Sequence, residues 1–229
     1  ANKTYVAKIK LGFTSSTADA EGTLKDLNIV KLPNKTEVTN VLKTFEGAIE
    51  QTPPMYSALK HDGKPLYEYA RQGIQIPRKK RIITIFSIKL INLEKDELIL
   101  EINCSKGTYI RTLAEDIGEK LKVGGYLSSL RRTVVGSLTI NDAIALDSIE
   151  ESLVEDRFKF INPIDRFLNN FDSLIVSNDE ASAIKDGKIV HKKEALENIY
   201  RLYTQENFFI GLAEGDAKGN LKVKRLMAI

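Results

Sequence analysis

Apolar and polar residues alternate from the start of the chain. Tyr5, Ala7, Ile9 and Leu11 stand against Val6, Lys8 and Lys10, a period of two that predicts a half-buried strand. A polar, small-residue loop follows from Gly12 to Leu24. The period then lengthens: Val38, Val41, Leu42, Phe45 and Ile49 share one face of a predicted helix. Pro53-Pro54 breaks the next stretch, Asp62-Gly63 marks a turn, and residues 64–72 suit a short helix. Two strands follow over 81–93 and 97–104, read as a hairpin closed at Lys95-Asp96. In the second, Leu98, Leu100 and Ile102 alternate with Ile99, Glu101 and Asn103. Ile110, Leu113, Ala114, Ile117 and Leu121 return to helical spacing, so a helix begins near Tyr109. Leu130-Arg131-Arg132 leads into an apolar strand, residues 142–160 read as acidic and helical, and residues 161–167 read as a connector. The pattern resets near Phe171: a strand, a short helix and a glycine turn precede a meander of short strands with a turn at Asp216–Asn220, predicting a small, mostly β second domain.

A length of 229 residues suffices for one sizeable core and a second small one, and 42% apolar with 28% charged residues is ordinary for a globular protein. The net charge of +3 adds little. No apolar run reaches membrane-spanning length and no signal-peptide pattern is present. A single cysteine, Cys104, excludes an internal disulfide and fits a reducing cytosol; its place on a strand reads as a buried structural thiol. His61 and His191 lack ligand-type partners at metal spacing, and there is no glycine-rich phosphate loop, so neither a metal nor a cofactor is expected. The chain enters its first strand without a methionine or a cap. That suggests a natural start further upstream, or a mature end left by processing.

Two stretches carry the candidate chemistry. Between a strand and a helix lies Ser105-Lys106-Gly107-Thr108-Tyr109-Ile110-Arg111, where a rigid scaffold commonly holds functional loops. Lys106 suits a phosphate, Tyr109 a base and Arg111 a carboxylate. The other stretch is basic. From Lys60 to Arg81, Lys60, Lys64, Arg71, Arg78, Lys79, Lys80 and Arg81 stand against Asp62 and Glu68, seven cations less two acids, or +5. Tyr56, Tyr67 and Tyr69 lie in or beside it. Cations among aromatics suit a nucleic-acid surface, with phosphates on the cations and bases stacked on the rings; a solvated hairpin whose tyrosines plug the core fits the same residues.

In order along almost the whole chain, residues 3–22, 53–74, 104–121 and 130–140 and the terminal β region resemble the TruB family of tRNA pseudouridine synthases. The motifs Tyr56-Ser57-Ala58-Leu59-Lys60, Leu66-Tyr67-Glu68-Tyr69-Ala70-Arg71 and Ser105–Thr112 carry the resemblance together. It implies an α+β fold. A mainly antiparallel catalytic sheet with flanking helices would span residues 1–170, with an RNA-binding insertion at about 52–81, and a PUA-like RNA-binding domain would span residues 171–229. It implies isomerisation of uridine 55 in the T-loop of tRNA to pseudouridine by a cytoplasmic monomer needing no metal or cofactor.

The resemblance places Tyr5 and Tyr109 against the target uracil, Leu130 in the pocket wall, Asp19 near the flipped nucleotide, and Arg111 beside the catalytic carboxylate. Tyr5 would relay the C5 proton or only pack. Lys60, Lys64, Arg71, Lys79, Lys80, Arg81 and Lys106 would contact RNA, while Lys192, Lys193, Lys222 and Lys224 would meet the acceptor stem or serve as ordinary surface charge. Without the family pattern, Tyr5 and Leu130 read as core, Asp19 as a turn residue and Arg111 as a structural ion pair. The family's nucleophilic aspartate lies in a Gly-Ala-Leu-Asp-Pro-type motif upstream of the first strand. No Asp-Pro pair occurs in these 229 residues, and Ser15-Ser16-Thr17 replaces the usual Thr-Asp-Thr. Two readings result: most of a synthase lacking its nucleophile segment, or a non-catalytic module that binds or folds tRNA.

Overall fold

The alternation at the start of the chain forms β1 (Lys3–Leu11), whose Tyr5, Ala7, Ile9 and Leu11 are buried. The computed structural model describes residues 1–227 and divides them into two units, the first ending at Ala143. After β1 the first unit runs β2 (Phe13–Ser15), β3 (Leu24–Asp26), α1 (Lys35–Lys43), β4 (Gly47–Gln51), β5 (Lys60–His61), β6 (Lys64–Pro65) and α2 (Leu66–Arg71). It continues through β7 (Arg81–Glu94), β8 (Glu97–Cys104), α3 (Ile110–Lys120), β9 (Gly125–Val135) and β10 (Leu138–Thr139). Its six-stranded sheet has the order β10-β9-β1-β8-β7-β4, with every neighbour antiparallel. One face carries the core. Ile9, Leu11, Leu98, Leu100 and Ile102 meet Val38 and Leu42 of α1 and Leu113, Ala114 and Ile117 of α3. Each large aliphatic side chain buried there contributes about 1.5–3 kcal/mol. Cys104 is fully buried in the same cluster, and burial pushes its thiol up despite a hydrogen bond with Thr108.

The helix expected to run through Ile49 stops at Lys43. Thr44 caps it, Gly47 turns the chain at φ 98°, and residues 47–51 pair with β7 instead. Ile49 therefore serves the sheet, opposite Ile83. The last pair of this ladder, Gln51 with Arg81, brings together the two ends of the 52–80 insertion. Inside the insertion, Asp62 (φ 49°) and Gly63 (φ 80°) close the small β5–β6 hairpin with left-handed backbone at both turn positions. Lys95, at φ 51°, closes the β7–β8 hairpin where a turn was expected.

The second unit begins at Ile144. Of the residues expected to be helical, those in this unit form only α4 (Leu146–Glu150) and a 3₁₀ turn at Val154–Phe160, and the expected connector carries a second 3₁₀ turn at Ile164–Leu168; none of the three has a side-chain cap. β11 (Asp172–Ile175), α5 (Asn178–Lys185), β12 (Val190–His191), β13 (Ile199–Tyr203), β14 (Phe209–Gly215) and β15 (Asn220–Leu226) follow. Their five strands have the order β11-β13-β14-β15-β12, and only the β11–β13 pair is parallel. Val176, Ile184, Leu202, Ile210 and Leu221 form this unit's own core.

Candidate active site at the strand-to-helix junction

β8 ends at Cys104 and the chain turns through Gly107 (φ 85°) into α3. Thr108 ties the turn by donating its hydroxyl to the Ser105 carbonyl at 3.0 Å. Tyr109 is the N-cap of α3, in extended backbone, and its side chain makes no capping bond. The cap comes from elsewhere in the chain. Gln51, 3% exposed at the end of β4, accepts from the Tyr109 N–H at 2.8 Å and donates its amide to the Tyr109 carbonyl at 3.1 Å. That carbonyl also accepts the first helical bond, from the Leu113 N–H.

Arg111, one residue into the helix, reaches back to the loop after β1. Its Nη1 meets Asp19 Oδ2 at 2.8 Å, with the two side chains 27% and 19% exposed, and its Nη2 donates to the Tyr56 carbonyl at 2.6 Å. The Asp19 carboxylate also accepts from the Thr17 hydroxyl at 2.6 Å and the Glu21 N–H at 3.1 Å. Burial alone would raise this carboxyl. The bonds from Thr17 and Arg111, the Glu21 N–H and the guanidinium charge outweigh it and hold the group below its ordinary value. The loop is fastened to the sheet where the Leu127 N–H donates to the Ala18 carbonyl at 3.0 Å, with Ala18 at φ 65°. Gly22 is required by crowding: a Cβ there would lie 2.4 Å from both Ser15 Oγ and Thr17 Oγ1.

A cavity of about 450 Å³ opens beside this pair. It is walled by Ser16, Thr17 and Ala18, by Thr52, Met55 and Tyr56 at the start of the insertion, and by Thr112 and Glu115 of α3. Burial raises the Glu115 carboxyl, and the neighbouring Asp116 adds to this while Arg111 opposes it.

The structure thus joins Asp19 to Arg111 directly and sets Tyr109 two residues away on the same junction. The carboxylate that Arg111 holds within this chain is Asp19. Leu130, 44% exposed, lies on β9 opposite Ala7, three residues beyond the Leu127 to which Asp19 bridges. Tyr5 is 8% exposed in the middle of β1, with the Arg132 guanidinium 5.7 Å from its ring centroid. No hydrogen bond, ion pair or cation–ring contact links Tyr5 to Asp19 or Arg111 among the described residues. Lys106 is exposed in the turn. Lys60, Lys64, Arg71, Lys79, Lys80 and Arg81 are all exposed on or beside the insertion; Arg71 lies over the Tyr67 ring at 5.4 Å and Lys80 pairs with Glu50 at 3.3 Å. In the second unit Lys192 is held by Glu180 at 3.0 Å, with 18% of its side chain exposed, and Lys224 lies 3.7 Å from Glu214. Gln51 and Thr17 were not singled out by the sequence. An amide at a strand end and a hydroxyl in a polar loop carry no periodic signal, and only the pairing across 58 residues gives Gln51 its place.

Three family models match in succession. "TruB family pseudouridylate synthase (N terminal domain)" covers residues 1–110, "tRNA pseudouridylate synthase B C-terminal domain" covers 111–175, and "Pseudouridine synthase II TruB, C-terminal" covers 173–227. Among curated relatives, tRNA pseudouridine synthase B of Nitrosomonas europaea is 42% identical over 221 residues, covering 93% of this chain and 72% of the relative. The enzyme of that name from an Azoarcus species is 42% identical over 228 residues, covering 100% and 75%. That of Clostridium kluyveri is 41% identical over 215 residues, covering 92% and 73%. Among solved structures, a chain in a Cbf5-Nop10-Gar1 complex superposes with a TM-score of 0.68 at 20% identity, covering 99% of this chain and 66% of that one. A chain in an H/ACA RNP bound to a substrate RNA containing 2'-deoxyuridine gives 0.69 at 18% identity, covering 100% and 67%. These two share the fold. The chain spans about three quarters of the length of the curated relatives and about two thirds of the solved chains.

Proposed function

The chain belongs to the TruB family of pseudouridine synthases, and from that premise we propose that it forms the uridine pocket and RNA grip of an enzyme converting uridine 55 in the T-loop of tRNA to pseudouridine. The reaction is an isomerisation. The bond between ribose C1′ and uracil N1 breaks, the base turns within the pocket, C1′ bonds to C5, and the C5 proton is finally exchanged for one on N1. Nothing is oxidised or reduced, so the protein's task is to hold, turn and retain the base.

The carrying observation is the junction at Tyr109 and Arg111. An aromatic ring stands two residues from a guanidinium locked to an ionised carboxylate, beside a cavity walled by the insertion. A target base must leave its stack before its glycosidic bond can be attacked, and an aromatic wall offsets part of that cost. In this reading Tyr109 faces the uracil, Leu130 lines the pocket, and Asp19 keeps Arg111 aimed. Tyr5 supports the floor from β1, consistent with its 8% exposure. The exposed cations of the insertion and Lys106 meet phosphates. Residues 171–229 act as a PUA-like RNA-binding domain. The protein works as a monomer in the cytoplasm, where a buried, unpaired Cys104 suits the reducing conditions.

One observation favours a second reading, in which residues 1–229 bind or fold tRNA without catalysis: the Asp-Pro motif that the family resemblance implies for the nucleophile does not occur in them. Pseudouridine formation on an unmodified T-stem-loop, with RNA binding measured in parallel, separates the two. Residues 1–229 alone should bind the stem-loop without turnover, and turnover should appear when a segment bearing the Gly-Ala-Leu-Asp-Pro motif is joined to them. Continued silence with tight binding would support the second reading. Turnover by residues 1–229 alone would place the nucleophile among their own aspartates, and failure to bind the stem-loop would sink both readings.

A further inference from the structure

Both pocket groups of the junction are held by one short stretch of chain. Gln51 grips the Tyr109 backbone through two hydrogen bonds, and Tyr56, five residues on, accepts from Arg111. The Gln51 amide is buried and both of these bonds go to Tyr109, acting as a strand would in an antiparallel bridge. Tyrosine is a poor N-cap, and nothing in its own side chain fixes the entry angle of α3. The orientation of the Tyr109 peptide decides where its ring points and where Arg111 emerges. The same stretch leads into the basic insertion, since the Tyr67 N–H of α2 donates to the Ser57 carbonyl at 3.1 Å.

We propose that Gln51 is a positioning residue for the isomerisation: its buried amide sets the Tyr109 peptide, and through it the Tyr109 ring and the Arg111 guanidinium, in the geometry the flipped uridine requires. The inference rests on the family reading above. It predicts a loss in the chemical step rather than in RNA affinity, because Gln51 has no surface to offer a phosphate.

Two variants of the full-length protein test it. Q51L keeps the volume and removes both hydrogen bonds. Q51E keeps the acceptor for the Tyr109 N–H and regains the donor for the carbonyl only when its carboxyl is protonated. Single-turnover pseudouridine formation on a T-stem-loop, its dissociation constant, and the signal of a fluorescent base beside the target are read well below the melting temperature. In Q51L the rate constant should fall about ten- to hundredfold, the range an ångström-scale misplacement produces, with the dissociation constant within about twofold of wild type. At constant folded fraction the ratio of Q51E to wild-type rate should rise as the pH is lowered, because protonation restores the donor for the Tyr109 carbonyl. Wild-type rate constants in both variants would overturn the inference and leave the family reading intact. So would a loss that tracks only the folded fraction, or a Q51E ratio independent of pH. A wild-type protein that neither extrudes nor isomerises the base would overturn the family reading, and this inference with it.

Discussion

Replacing Asp19 with Asn removes one charge from the Asp19–Arg111 pair while keeping an acceptor for Thr17 and the Glu21 N–H. The charge centres of an ion pair with 2.8 Å contact lie about 4 Å apart, which at an effective dielectric near 20 is a gross attraction of about 4 kcal/mol. Desolvation of two side chains only 19% and 27% exposed cancels part of it, leaving a coupling of about 1.5–3 kcal/mol, above an exposed pair and below a fully buried one. Arg111→Met also frees the Tyr56 carbonyl, so the pair is isolated by a cycle of D19N, R111M and the double variant. Calorimetry should show D19N melting about 4–8 °C below wild type at neutral pH. The gap depends on acidity with a definite sign. The folded carboxyl titrates below its ordinary 3.8, so its contribution is complete above about pH 5 and is lost as the pH falls through the depressed value. D19N and wild type should therefore converge on acidification. A coupling under about 0.5 kcal/mol, or a gap that does not narrow between about pH 5 and pH 2.5, would refute this account.

Neutralising Lys60, Lys64 and Arg71 together should weaken binding to all tRNA sequences alike and flatten the slope of log K against log salt by about 0.7 for each phosphate no longer neutralised; an unchanged slope would remove these residues from the interface. Gly118→Ala should cost about 2 kcal/mol or more in urea unfolding, because its Cβ would fall 2.3 Å from backbone atoms of Gly124 and Gly125, neither of which can yield cheaply; a near-neutral result would mean that α3 shifts freely against the start of β9. Cys104, fully buried with its thiol raised by burial, should resist alkylation in the native protein and react only on unfolding, so rapid native labelling would contradict its place in the core.

Alternation was legible wherever one sheet face is buried. β1 and β8 show it without a break, because a slip of one residue would turn Ile9 or Leu100 to the other face. The helical spacing from Val38 to Ile49 misled beyond Lys43, since Phe45 and Ile49 are apolar for different reasons. Phe45 joins the core beyond the helix cap, and Ile49 packs against it from a strand recruited by β7, a partner 34 residues away along the chain. Acidic residues 142–160 were expected to be helical, but Ala145 and Leu153 offer no capping side chain, and only the five-residue α4 and short 3₁₀ turns form. At the site, Tyr109 and Arg111 stood out by residue type. That Arg111 meets Asp19 across 92 positions, and that a buried glutamine caps α3, depends on tertiary pairing, which no local pattern records.

The insertion leaves the sheet after Gln51 and re-enters it at Arg81, directly opposite. Its ends are therefore joined by the ladder whatever lies between them. Lengthening such an excursion costs little in closure entropy, about 0.6 kcal/mol per doubling. Tyr109 and Arg111 are hydrogen-bonded from this side by Gln51 and Tyr56, which precede the hairpin and α2. The proposed function would then divide along this ladder: a lineage could vary residues 58–80 while inheriting the junction, and an engineer could replace that excursion without redrawing the sheet.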